Sequence, residues 1–355
     1  MSMHTPTRIN FGRPIRPLRL FSGAFSQRLD LRTLGVCLAL MLVAIVVAVV
    51  TLSSGEFQIA APDVVWALLG QAEGRIHMVV VEWRLPRTAL ALLLGAALGI
   101  SGAIFQSLTR NPLGSPDIIG FDAGSYTGAL IVITLFGGGY LMVASGALIG
   151  GLVTAIVVYM LAYRRGVEGF RLIIVGIGVS AMLTSLNTWM LLRAKLEVAM
   201  TAAIWGAGSL NGMTLERLGY AGAVLVVLIP LALMMSRPMG QLELGDDAAR
   251  ALGVSAERSR LGLLVLGVAL TATATATAGP IGFISLAAPQ LARRLTGAAG
   301  VAMVPAAAMG ALLLAAADYL AQRAFAPTQL PVGVVTVSLG GIYFVWLLLR
   351  EARRS

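Results

Sequence analysis

The sequence predicts an all-α polytopic membrane protein, a bundle of about ten transmembrane helices with both termini in the cytoplasm. Three observations carry this prediction. The chain is apolar and carries half the usual charge. Span-length apolar runs follow one another along it. Basic residues crowd into alternate loops.

Of the 355 residues, 58% are hydrophobic and 12% charged, with mean hydropathy +0.87. Soluble domains hold near 25% charged residues and less than half apolar ones. This surface therefore suits lipid, and the apolar runs continue too far along the chain for a lone signal peptide.

A helical span needs about 20 mostly apolar residues. Runs of that kind occur at 33–52, 88–107, 118–136, 141–162, 172–192, 218–235, 261–278, 283–292, 301–320 and 332–349. The eighth is short and follows Gly279-Pro280-Ile281-Gly282, which predicts a broken or half helix. Such breaks survive only where protein or a cavity covers the backbone. Gly95, Gly99 and Gly102 share the second run, and small residues at near-helical spacing let helices pack closely in lipid.

With the N-terminus placed inside, seven of the 26 basic residues fall outside: Arg75, Arg84, Arg87, Arg193, Lys195, Arg217 and Arg323. The other nineteen fall on the cytoplasmic side, as the positive-inside rule requires. The net charge of +10 is thus the signature of cytoplasmic loops, not of a nucleic-acid partner. Six acids (Glu56, Asp63, Glu73, Glu82, Glu197, Glu216) nearly balance the outer basic residues, so no strong electrostatic funnel is expected.

The domain plan is simple. Residues 1–32 read as a basic, loosely ordered cytoplasmic tail, 33–350 as one transmembrane domain, and 351–355 as a second short tail. The outer loop 53–83 has room for a short amphipathic helix around Asp63 to Gly70. A polar cytoplasmic segment occupies about 237–258.

Several chemistries are excluded. Cys37 is the only cysteine, and His4 and His77 lie in a tail and a loop, so no metal cluster is expected. The only lysine, Lys195, follows Ala194, so no phosphate-binding G-x-x-x-x-G-K-[ST] loop can be written. Ser107 and Ser285 have no histidine in any span to activate them, which argues against an intramembrane enzyme. Asp122 and Asp318 lie near the ends of their spans, where they read as structural. The scarcity of central acids argues against an ion-coupled secondary transporter.

Three segments remain. Arg84-Leu85-Pro86-Arg87 opens the second span, with Pro86 suited to a first helical turn. Its arginines are interface anchors or a docking site for an acidic partner, since guanidinium pairs bidentately with carboxylate. Gln106 to Asp117 reads as a rigid cytoplasmic turn with two prolines, a glycine and an asparagine. In Leu242 to Ser255, Gly245, Ala249 and Gly253 recur every four residues as a small-residue stripe on a helix, with Gly253 a stop and Ser255 an N-cap for a second short helix.

Together these stretches, with Glu82-Trp83, Gly279 to Arg294 and Leu330 to Thr336, resemble the iron-chelate and cobalamin permease family of bacterial ABC importers. The resemblance runs from about residue 82 to 350. It implies a type II importer bundle of ten helices in the bacterial inner membrane. It implies a second, paralogous permease subunit, a cytoplasmic ATPase dimer and an outer substrate-binding protein. This chain would bind no cofactor, and ATP would be used by the partner. The implied cargo is a ferric siderophore of catecholate, enterobactin-like type, with cobalamin, haem or a hydroxamate chelate as alternatives, carried by alternating access. Leu242, Gly245, Ala249, Leu252 and Gly253 match the segment that couples to the ATPase. Arg84 and Arg87 match arginines that dock the binding protein. The family's third docking arginine aligns near Gln322, with Arg323 beside it, and Gln290 stands where the family usually has histidine.

Overall fold

Glycine and alanine decide which helices sit at the centre. A computed structural model describes residues 15–352 apart from 21–24, 118 and 164–168. The start of the basic tail, Arg164 and Arg165, and the last three residues lie outside the described residues.

The described chain opens with a hairpin, β1 (Ile15–Leu20) paired antiparallel with β2 (Phe25–Asp30), where a loosely ordered tail was expected. Period-2 alternation is too weak there to announce strands, and the pairing is a property of the backbone. Asp30 caps the first helix, α1 (Leu31–Ser53), accepting from Arg32 N at 3.0 Å and from Thr33 Oγ1 at 3.2 Å.

A short helix α2 (Ala61–Leu68) starts at Pro62 and Asp63, where the sequence has room for one. One turn, α3 (Arg75–His77), continues through a π-wound stretch, Met78–Arg84, into α4 (Leu85–Thr109). Then come α5 (Phe121–Phe136), α6 (Tyr140–Ala162), α7 (Gly169–Arg193) and the short α8 (Leu196–Gly206). They are followed by α9 (Leu215–Met234), the small polar helices α10 (Ser236–Glu243) and α11 (Asp246–Ala251), and α12 (Ala256–Ala278). The chain closes with α13 (Ile284–Thr296), α14 (Met303–Arg323) and α15 (Val332–Ala352).

Each of the ten apolar runs lies on a helix, but only seven described helices are long and apolar enough to cross a membrane. Two of the ten run-bearing helices are physically short. Helix α5 has 16 residues and α13 has 13, and α13 carries Gln290, Arg293 and Arg294. At 1.5 Å per residue, α13 is about 20 Å long, short of a bilayer's hydrocarbon depth.

Helix α4 is the most buried of the long helices and touches α14, α12, α13 and α9. Its glycines explain why. A Cβ at Gly95 would overlap the Gly310 carbonyl, and one at Gly99 would overlap the Ala306 carbonyl, both on α14. A Cβ at Gly102 would overlap Ser285 on α13. In lipid such close backbone contact replaces the hydrophobic effect as the source of helix association. Helices α1, α7 and α9 have largely exposed apolar faces, as lipid-facing or subunit-facing helices do.

Candidate functional site

The N-terminal edge of α4 is built around two arginines with different partners. Arg87 faces inward. Its Nε donates to both oxygens of Asp318 on α14, at 3.1 and 2.9 Å, and its Nη2 to Oδ1 at 2.9 Å. Its Nη1 donates to Gln329 Oε1 at 2.7 Å. Asp318 is 1% exposed and also accepts from Gln322 at 2.8 Å. Arg84 reaches back to the last turn of α1 and the loop that follows, donating to the carbonyls of Leu52 (2.7 Å) and Phe57 (2.6 Å). Gly55 leaves room for that guanidinium, which a Cβ there would overlap. Arg323 is half-buried on the last turn of α14 and forms no ion pair among the described residues. The two docking candidates of the Arg84–Arg87 segment are thus already engaged within the chain. They line a cavity of about 600 Å³ with Trp83, Gln322 and Gln329, and the Trp83 side chain is exposed. Asp318 and Gln329 were not singled out as partners by sequence, because nothing local links residues more than 200 positions apart.

On the opposite edge lies the polar segment. Gly245 (φ 110°) and Gly253 (φ 82°) are left-handed or extended-positive turn positions on either side of α11, not one helical stripe. Glycine takes such φ values without a Cβ penalty, and each breaks the helix there. Ala249 and Leu242 are buried inward, at 0% and 5% exposure. Leu244 and Leu252 stand outward, at 69% and 57%. Ser255 occupies the N-cap of the 23-residue α12, not of a second short helix, and makes no side-chain cap bond. Leu244 and Leu252 are thus the outward apolar pair of this segment, and Leu244 was missed because the four-residue spacing favoured the glycines.

Asp246 ties this segment to α4. Its Oδ1 accepts from Arg260 Nη2 at 2.7 Å and lies 3.5 Å from Arg110 Nη2, which also donates to Leu242 O at 3.0 Å. Arg110 takes a left-handed conformation (φ 49°) as the cap that ends α4.

The turn after Arg110 is not a plain surface loop. Ser115 and Ile119 are fully buried. Asp117 accepts from Ser285 Oγ at 2.9 Å and from Phe283 N at 3.2 Å, so its carboxylate caps the N-terminus of α13. Gln290 on α13 donates back to Pro112 O at 2.6 Å, and Gln106 on α4 to Leu286 O at 3.0 Å. Asp122 accepts from Thr275 on α12 at 3.1 Å. Both acids read as structural in the sequence have internal partners.

Farther along, glycines bring three chain breaks together. Ser209 N donates to Ala278 O at 2.7 Å and Gly333 N to Gly208 O at 3.0 Å. A Cβ on Gly208 would overlap Pro280 O, and one on Gly333 would overlap Ala207 O. The ends of α8 and α12 and the start of α15 thus meet through backbone alone. Phe283 holds φ 72° at this junction, against Gly340 of α15.

Close glycine-mediated packing and seven helices long and apolar enough to cross a bilayer among the described residues define a multi-pass membrane protein. Residues 40–350 match the FecCD transport family, and the chain belongs to it. It is 53% identical over 324 residues to the ferric enterobactin transport system permease protein FepG of Escherichia coli, covering 91% of this chain and 98% of that one. It is 36% identical to the iron(3+)-hydroxamate import system permease protein FhuG of Bacillus subtilis, covering 87% and 95%. A solved inward-facing conformation of a metal-chelate type ABC transporter superposes with TM-score 0.80 at 26% identity, covering 89% of this chain and 99% of that one.

Proposed function

We propose that this chain carries a ferric siderophore of the catecholate, enterobactin-like type across the bacterial inner membrane, as one permease subunit of an ATP-binding-cassette importer. The observation that carries this reading is the 53% identity to a ferric enterobactin permease along nearly the whole of both chains. In this reading the ten helices on the ten apolar runs all traverse the bilayer, with both termini inside, as the basic loops favour. Residues 33–350 act as one domain.

A cytoplasmic ATPase dimer seats on α10 and α11 through Leu244 and Leu252, with Gly245 and Gly253 shaping the turns and Leu242 and Ala249 anchoring them. ATP is used there, and this chain needs no cofactor. A paralogous permease covers part of the exposed apolar faces. A substrate-binding protein docks over the cavity beside Arg84, Arg87 and Arg323. In this reading the contacts of the polar segment carry alternating access. Movement of α11 pulls on Asp246, which is tied to the end of α4. The Arg110–Asp117 loop then shifts the N-terminus of α13, where the three breaks meet.

The test is radio-iron uptake by cells lacking this gene, with and without the gene restored. Iron is offered as a catecholate, a hydroxamate and haem, beside labelled cobalamin. Loss and rescue confined to the catecholate is the expected result. Loss of another cargo alone would keep the importer and replace the chelate. No change in any cargo would refute the transport reading.

A further inference from the structure

Arg217, at the start of α9, is packed on an aromatic ring and not on an acid. Its guanidinium lies 4.1 Å from the centre of the Tyr140 ring and forms no ion pair with a carboxylate among the described residues. It is half-buried, on the wall of a cavity of about 850 Å³ between α8, the α5–α6 turn and α9. That volume lies within the 300–1,000 Å³ range of small-molecule sites.

The wall has the chemistry of one ligand class. The Arg217 guanidinium sits over the Tyr140 ring, and with no carboxylate ion pair among the described residues its N–H groups suit an oxyanion. Trp205 lines the cavity from α8, and its plane is fixed by Tyr126, stacked at 6.1 Å and 7°. Tyr126 is itself anchored by its hydroxyl, which donates to Ala202 O at 3.3 Å. A preset aromatic plane and a guanidinium edge in one cavity suit a planar aromatic ring with adjacent anionic oxygens. Gln329 lines both this cavity and the one beside Arg84 and Arg87, so the two spaces adjoin through one side chain.

We infer that this cavity is a subsite for a planar aromatic anion, a metal-bound catecholate ring, held by Arg217 over Tyr140 and stacked on Trp205. The inference rests on the catecholate cargo proposed above and assigns the residues that recognise it. Glu197 is on the same wall and opposes an anion. The electrostatic reading therefore predicts opposite effects for the two charges, which a merely structural role for either would not produce.

The experiment uses the complete importer in nanodiscs, without binding protein, titrated with a ferric tris-catecholate while tryptophan fluorescence is followed. The wild type should show saturable quenching. Arg217→Gln should weaken binding about tenfold or more, as expected for losing a charge-assisted hydrogen bond. Arg217→Lys should recover part of it, and Glu197→Gln should bind as tightly as wild type or more tightly. Trp205→Phe should remove most of the quenching amplitude. Affinity for the unloaded binding protein should not change in any variant.

Uptake of the same chelate by cells separates the two claims. If wild-type cells import it while Arg217→Gln titrates and imports like wild type, the subsite alone is overturned. Equal losses from Arg217→Gln and Glu197→Gln also overturn it, as does absence of saturable quenching in the wild type. If wild-type cells do not import the chelate, the cargo reading falls and the subsite with it.

Discussion

Arg87 grips Asp318 with two of its nitrogens across the α4–α14 contact, and Asp318 is 1% exposed. A buried ion pair broken on one side leaves an uncompensated charge, which costs about 3–5 kcal/mol. Arg87→Ala should therefore lower the melting temperature of the purified permease, and Asp318→Asn in the Arg87→Ala background should restore much of it. An unchanged melting temperature in Arg87→Ala would remove the pair from the stability account.

Arg84 bonds only to two backbone carbonyls among the described residues, so its loss costs less inside the chain. Arg84→Glu should weaken the binding protein's affinity with little effect on melting. If Arg84→Glu and Arg87→Glu lower both quantities in parallel, docking is lost through unfolding and not through recognition.

The outward leucines give a third expectation. Leu244→Glu with Leu252→Glu should abolish co-purification with the ATPase while the chain still inserts in the membrane. Ala249→Trp should act differently. That site is fully buried, so overpacking of about 1–3 kcal/mol or more should distort the segment itself. Protease sensitivity of residues 236–260 distinguishes the two, since only the tryptophan should raise it.

Asp246 is half-exposed and shared between Arg110 and Arg260. Its contribution to stability is correspondingly small, about 0.5–1 kcal/mol. Its loss should instead appear as uncoupling. Asp246→Asn should keep near-normal ATPase activity in the assembled importer and lower the chelate imported per ATP. Equal reductions in both rates would assign Asp246 to ATPase assembly instead.

The Asp117 cap on α13 predicts a stability loss of about 1–3 kcal/mol for Asp117→Ala, since the Phe283 amide and Ser285 hydroxyl lose their acceptor. Differential scanning fluorimetry measures it. Ser285→Ala should cost less, because Asp117 keeps the backbone bond.

What the sequence could and could not reveal follows from range. The apolar runs are local, and each found its helix. Pro86 in the first turn of α4 and the break before α13 were likewise readable from short motifs. The short α8 was missed because 11 residues carry neither a span's length nor a turn's punctuation. The turn after Arg110 was legible, but not that Gln106 to Thr109 finish α4 or that Ser115 is buried. Prolines and asparagine mark a change of direction, while depth depends on Ser285 and Phe283, far along the chain. The Gly245, Ala249 and Gly253 spacing suggested one helical face, but positive φ at both glycines is a property of the folded backbone.

The contrast between α1 and α4 bears on how the protein can evolve. Helix α1 is the most apolar span and one of the least buried, while α4 is less apolar and the most buried. Any greasy side chain serves on the outside of α1, so drift there should be nearly free. At Gly95, Gly99 and Gly102 even one added methyl meets a carbonyl. A saturation scan would thus find its intolerant stripe on the smallest residues of α4, and hydropathy alone would rank the two helices in the wrong order of constraint.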